Sequence, residues 1–286
     1  MSAPEQSAQE NPEKSFFGII IHSFFVIPFL IAVFCILLFA AVHLLTSERQ
    51  TVYDFLEDIK TGGETKRWQA AFELSKILAN PDLIPKEERF TAELIKAYQK
   101  SAADDNRVRQ YLALAMGRTG KSEFFAPLAE HIGQEKEENL PAVLYALGML
   151  RDKRAAPILA KFVSHPDPRI RSMVVVSLGN IEDLSSKEIL KNTLNDPEPN
   201  VQWGSALSLA KFNDPSGRQI IAKLLDREYL AKFPEVDARE QTHLLLAAID
   251  AVKTLQLTEF NGKLKTLADS DKNMKVRAAA LEYFKK

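Results

Sequence analysis

The sequence predicts an all-α protein: one transmembrane helix followed by an α-solenoid of five to six helix pairs. Residues 16 to 45 form an apolar run that no Asp, Glu, Lys or Arg interrupts. Beyond it, several columns of small and apolar residues recur at a constant step of 31 residues. Each repeating unit holds two amphipathic helical patterns. The charge balance, 37 Lys+Arg against 38 Asp+Glu, lacks the basic excess that phosphate neutralisation requires, so no nucleic-acid partner is expected. A single cysteine excludes a disulfide framework and a Cys-based zinc site.

Residues 1–15 read as a disordered tail that carries Glu5, Glu10 and Glu13 against Lys14 alone. Residues 16–45 then read as a transmembrane helix, because about 20 apolar residues suffice to cross the hydrocarbon core. Its polar positions are His22, Ser23 and His43, and Pro28 is expected to kink it. A cleavable signal peptide is the competing reading. Signal cores run to about 15 apolar residues, and this run is longer and follows an acidic segment. Basic residues are commoner after the span (Arg49, Lys60, Lys66, Arg67) than before it, which favours a single-pass protein of the cell (inner) membrane with a cytoplasmic solenoid.

Residues 46–63 are expected to form an amphipathic capping helix and linker. Val52, Phe55, Leu56 and Ile59 make one apolar stripe that could cover the first repeat, or contact a membrane partner, before the Gly62-Gly63 break. The solenoid fills residues 64–286. Its register is set by Gly117, Gly148, Gly179 and Ala210, and by the columns Leu128–Leu159–Leu190–Ile221, Ile132–Val163–Leu194–Leu225 and Met116–Leu147–Leu178–Leu209. The small-residue column implies a close helix crossing within a unit or the end of the first helix. Pro168 and Pro199, each after an acid, open first helices, where a missing N–H costs nothing. The segment from Lys66 aligns with that from Val201 and superposes Trp68 on Trp203. Insertions follow at NPDLIPKEERF and YLAKFPEVD, and KVRAAALEYFKK begins another first helix.

The segments DPRIRSMVVVSLGN (167–180) and KVRAAALEYF (275–284) resemble HEAT repeats, more narrowly the short bacterial HEAT-like type of phycobilisome lyases. The resemblance implies a helix-pair solenoid over 64–286 and a binding scaffold more often than a catalyst. It also raises a chromophore-lyase option, which the residues themselves do not support, since the one cysteine lies in the apolar run.

Catalytic constellations are absent. Gly120-Lys121-Ser122 lacks the earlier glycine of a phosphate loop, where Ala115 stands, and it follows a helix. His131, His165 and His243 form no His-x-x-x-His pair and no His-Glu dipeptide occurs, so neither metal nor cofactor is expected. An arginine pair, Arg107 and Arg109, recurs as Arg169 and Arg171 and is expected to lace the repeats to Asp105 and Asp167.

The partner-binding candidates are Glu130, Lys161, Asn192 and Lys223, one column of the second helices, with His165 and Arg227 one turn on beside Gln134 and Asp196. They oppose the apolar columns and should line the concave side. Trp68 and Trp203 are further candidates, because Gln110, Pro141 and Ser172 hold that position in other units and suggest exposure. The expected function is a non-catalytic, bacterial-type membrane-anchored scaffold that recruits a partner protein, a membrane complex or a peripheral membrane factor, with residues 16–45 in the lipid bilayer. The alternative is an enzyme or small-ligand protein working on the concave face.

Overall fold

The computed structural model describes residues 22–46 and 50–285; the expected tail and positions 16–21 of the expected span lie outside them. The chain divides into two units at Thr51/Val52.

The first unit is a π-helical turn, His22–Val26, that runs into α1, Ile27–Thr46. Pro28 has no N–H to donate four residues back, and the widened turn lies directly before it, where the regular ladder is broken. From Phe24 to Val42 the helix has a mean hydropathy of 3.1 and buries none of its length in protein. It is long and apolar enough to cross a bilayer.

The second unit is an α-solenoid. Helix α2 (Val52–Thr61) is followed by α3 (Glu64–Ile77), α4 (Glu88–Lys100), α5 (Asn106–Thr119), α6 (Phe125–Ala129), α7 (Leu140–Met149) and α8 (Ala156–Ala160). Then come α9 (Pro168–Ile181), α10 (Lys187–Asn192), α11 (Pro199–Lys211), α12 (Arg218–Leu224), α13 (Arg227–Leu230), α14 (Ala238–Leu255), α15 (Asn261–Ser270) and α16 (Met274–Tyr283). Helices α3, α5, α7, α9 and α11 stack side by side as one row of first helices. Helix α14 packs on α11 and continues that row, so the second helices α4, α6, α8, α10, α12 and α15 complete six pairs, and α16 packs on α14 and α15 as a further first helix. Among the described residues there is no strand.

Helix α2 sits in the place of a second helix ahead of the first pair, packed on α3 and α4. Its buried residues are Val52, Phe55, Leu56 and Ile59, and the compact unit starts at Val52. Three local rules repeat along the array. First helices end in a left-handed residue at Gly120, Arg151, Glu182 and Asn213, each 31 after the last. The next aspartate, Asp152, Asp183 or Asp214, accepts a hydrogen bond from the backbone N–H two residues on and starts a 3-10 turn into the second helix. The column of Gly117 and Gly148 lies inside the first helices, against Ala146 and Ser177 of the next unit's first helix. The close crossing is therefore between neighbouring units. It is neither within a unit nor at a helix end, because a β-carbon on Gly148 would stand 2.7 Å from the Ser177 Cα.

Candidate functional site

The arginines recurring in the first turns have two different partners. Arg107 and Arg169 close on Asp105 and Asp167, the N-caps of their own helices. Arg109 and Arg171 do not share those carboxylates. Each reaches across the connection that follows the second helix. Arg109 donates Nε to Glu135 at 2.7 Å and Nη1 to the Tyr98 carbonyl at 3.1 Å. Arg171 donates Nε and Nη2 to the two oxygens of Asp196, both at 2.8 Å, and Nη1 to the His165 carbonyl. Arg67 occupies the same position in α3 and meets Asp104 at 2.8 Å. The position is Leu140 in α7, and no ion pair forms there. In α11 it is Gln202, which donates to the Asp196 carbonyl. A charged seam therefore ties three of the connections to the units on either side.

The seam floors a series of grooves between successive second helices. The first, about 510 Å³, lies between α2 and α4 over Arg67 and Asp104. The next, about 570 Å³, lies between the end of α4 and α6 over Arg109 and Glu135. A third, about 540 Å³, lies between the end of α8 and α10 over Arg171 and Asp196. Between the second and third falls the junction with Leu140. The side chains of Arg109 and Glu135 are 9% and 5% exposed, so the pair is nearly sealed. Burial pushes the carboxyls of Glu135 and Asp196 up, but the arginine hydrogen bonds and charge outweigh it and hold both below the usual carboxylate range. Tyr98 forms a wall of the middle groove, and burial pushes its hydroxyl pKa upward. The Arg109 guanidinium stacks 4.2 Å from the Tyr98 ring centroid.

The sequence-derived candidates divide. Glu130 and Asn192 are exposed on the rims of the second and third grooves, and His165 lines the third, its Nδ1 accepting from the Asp167 N–H. Lys161 and Lys223 are exposed on α8's end and α12 but line none of the three grooves. Lys223 sits over the Tyr229 ring. Arg227 is half-buried and already engaged: it forms a bidentate pair with Asp271, whose side chain is 1% exposed, and joins the inserted helix α13 to the connection before α16. Trp203 is likewise corrected. It is 2% exposed, donates its indole N–H to Tyr229 and packs edge-on against Tyr229 and Phe233 of the insertion. Sequence position suggested exposure because other units have no insertion to cover it. Trp68 is half-buried, with the Arg107 guanidinium 4.5 Å from its ring. The seam residues Glu135 and Asp104 were not legible, because their partners lie across loops of unequal length.

Among the described residues no His, Cys, Asp or Glu cluster could hold a metal ion. The site offers free amides, an imidazole and, beneath them, paired charges, which suits recognition of polar main chain and short side chains.

Residues 159–232 match a family profile described as HEAT repeats, and residues 142–165 match the PBS lyase HEAT-like repeat. The chain thus carries HEAT-like repeats of the kind its sequence resembles. No curated protein matches it. Among solved structures it is similar to the complex of CpcE and CpcF of phycocyanin lyase from Nostoc sp. PCC7120. That match has 19% identity and a TM-score of 0.61, over 83% of this chain and 88% of that one. An engineered protein aligns with 17% identity over 81% of this chain and 94% of that one, at a TM-score of 0.37. The MAST/Orbit N-terminal domain aligns with 14% identity over 74% and 100%, also at 0.37. At 19% identity the likeness to the first of these is one of fold.

Proposed function

We propose that this HEAT-repeat chain is a non-catalytic scaffold, tethered to a membrane by α1, that binds a partner protein along its second-helix row. The observation that carries this reading is the grooved face itself: three cavities along the second helices, each over an arginine–carboxylate pair, with unpaired side-chain amides at the rims of two of them. A solenoid spreads such positions over an extended surface, which suits a polypeptide. The similar CpcE–CpcF structure is a complex of two chains, in keeping with protein association on this fold. The apolar helix supports the tether, and confinement to a membrane raises the scaffold's effective concentration near membrane partners.

A photo-crosslinking residue placed at Asn192 or Glu130 of the full chain in its native membranes tests the reading. Adducts to a defined protein are expected from these two positions and not from Gln69, on the first-helix row. Absence of adducts, or equal adducts from Gln69, would sink it. The tether is tested separately: the full chain should stay with membranes through alkaline extraction, and a chain released without α1 would refute it.

Cavity size favours one other reading, since sites of about 300–1,000 Å³ suit small ligands. An enzyme or small-ligand protein would use the same grooves, and a phycocyanin lyase shares the fold. Native mass spectrometry of the purified chain separates the two: a stoichiometric small molecule supports the ligand, and a bare chain supports the scaffold.

A further inference from the structure

Helix α16 is a first helix with no further helix stacked beyond it among the described residues. Two hydrogen bonds fix its register against α9. Asn273 caps α16 by accepting from the Lys275 N–H, as Asp167 caps α9 by accepting from the Arg169 N–H. Arg277 donates Nη1 to the Asp271 carbonyl, as Arg171 donates Nη1 to the His165 carbonyl. In that register Leu281, Phe284 and Lys285 stand where α9 has Val175, Leu178 and Gly179. On α9 this side is closed by α11. Val175 and Leu178 are fully buried, Ser208 donates to the Val175 carbonyl, and a β-carbon on Gly179 would stand 3.0 Å from the Ser208 Cα. On α16 the same side is open. Leu281 is 49% and Phe284 44% exposed, and Met274, two turns before Leu281, is 75% exposed.

The open side does not suit another repeat. Lys285 fills the position where a neighbouring first helix needs glycine, so neither a further unit nor a second copy can cross there as α11 crosses α9. Charge opposes a second copy as well. Lys272, Lys275 and Lys285 are exposed around the apolar residues, and Lys275 and Lys285 form no ion pair among the described residues. From residue 271 onward the chain has two acids, and both are engaged. Asp271 is buried against Arg227, and Glu282 meets Lys253 at 3.5 Å. Two such faces would repel each other, whereas an anionic surface complements them. None of the three grooves reaches α16, so this side offers no shaped pocket for a partner's side chain. A fluid bilayer needs no pocket. Apolar side chains enter below the headgroups while lysines meet the phosphates.

We propose that the outer side of α16 docks on an anionic lipid surface through Met274, Leu281 and Phe284, with Lys272, Lys275 and Lys285 on the headgroups. The proposal rests on the reading of α1 as a membrane tether, which keeps a bilayer at hand. The full chain in proteoliposomes tests it, with Cys35→Ser removing the one native thiol and Ala278→Cys carrying an environment-sensitive fluorophore between Met274 and Leu281. Lipids spin-labelled near the headgroup should quench the fluorophore in vesicles of equal parts phosphatidylcholine and phosphatidylglycerol, and not in phosphatidylcholine alone. Lys272→Glu with Lys275→Glu and Lys285→Glu should abolish the quenching. High salt, which screens the charges without altering the chain, should do the same. A fluorophore at Leu184→Cys, as exposed as Met274 but beside Glu182 and Asp183, should stay unquenched. No quenching in anionic vesicles would leave the face to an acidic protein and overturn the proposal. So would equal quenching in neutral vesicles, quenching that survives both charge reversal and salt, or equal quenching at Leu184→Cys. Alkaline extraction reads the tether separately. A retained chain with an unquenched fluorophore loses the docking and keeps the tether. A chain that extraction releases is mixed with preformed vesicles, where the same quenching decides the docking alone.

Discussion

At the scale of single residues, the tightest constraint is the glycine that lets neighbouring first helices touch. An added methyl on Gly148 would stand 2.6 Å from the Ser177 Cβ as well as close to its backbone, so α7 and α9 must part. Gly148→Ala is expected to lower unfolding free energy by about 1–3 kcal/mol in a denaturant titration. Gly133, whose β-carbon would meet nothing within 4 Å, provides the control and should tolerate alanine. Ser177 itself buries a hydroxyl that finds no partner among the described residues. Ser177→Ala should therefore stabilise the protein by about 1 kcal/mol, the usual order for relieving an unsatisfied buried group. The left-handed column gives a second test. Glu182 adopts φ 56°, where an L-residue is strained by roughly 1–2 kcal/mol and glycine is not. Glu182→Gly should raise the melting temperature, and a lowered one would show that the glutamate side chain stabilises the turn by more than its backbone costs.

Among elements, the connections are held by charge more than by length. Removing one member of a sealed pair leaves the other buried and uncompensated. Arg171→Met should cost about 3 kcal/mol or more, and the double change with Asp196→Leu should recover much of it. The same pairs set the acid limit. Glu135, Asp196 and Asp271 are held below the ordinary carboxylate range, as are the turn-starting Asp152, Asp183 and Asp214. A depressed folded value means the unfolded chain binds protons first as pH falls. Their stabilisation is complete above the unfolded carboxylate range near pH 4, and it is lost as pH falls through the folded values. Melting temperature should stay level from pH 7 to about 5 and then drop, and Asp196→Asn should make that drop shallower. In sequence, the arginines of this seam were visible as a recurring pair. Their partners were not, because Glu135 and Asp196 come 26 and 25 residues after them, on connections whose course periodicity does not describe.

Across the whole molecule, stability is passed from neighbour to neighbour. Helix α2 covers the array at one end with four buried apolar residues. At the other, α16 and the residue after it leave Met274, Leu281 and Phe284 exposed. Hydrogen exchange should therefore be fastest in α16 and slower in α3, and the reverse order would contradict a nearest-neighbour array. The repeat, the helix pairs, the apolar leader and the stripe on α2 were determined by the sequence alone, because each is a periodic choice of side chain that a single helix must bury or leave in lipid. Only the tertiary structure decided which face is grooved, that Trp203 is buried and Arg227 paired, and that the glycine column serves the contact between units. Those outcomes depend on how inserted segments fold back over the array, and on which carboxylate a long arginine meets across a loop. Both are long-range matters of packing that a fixed step along the chain does not encode.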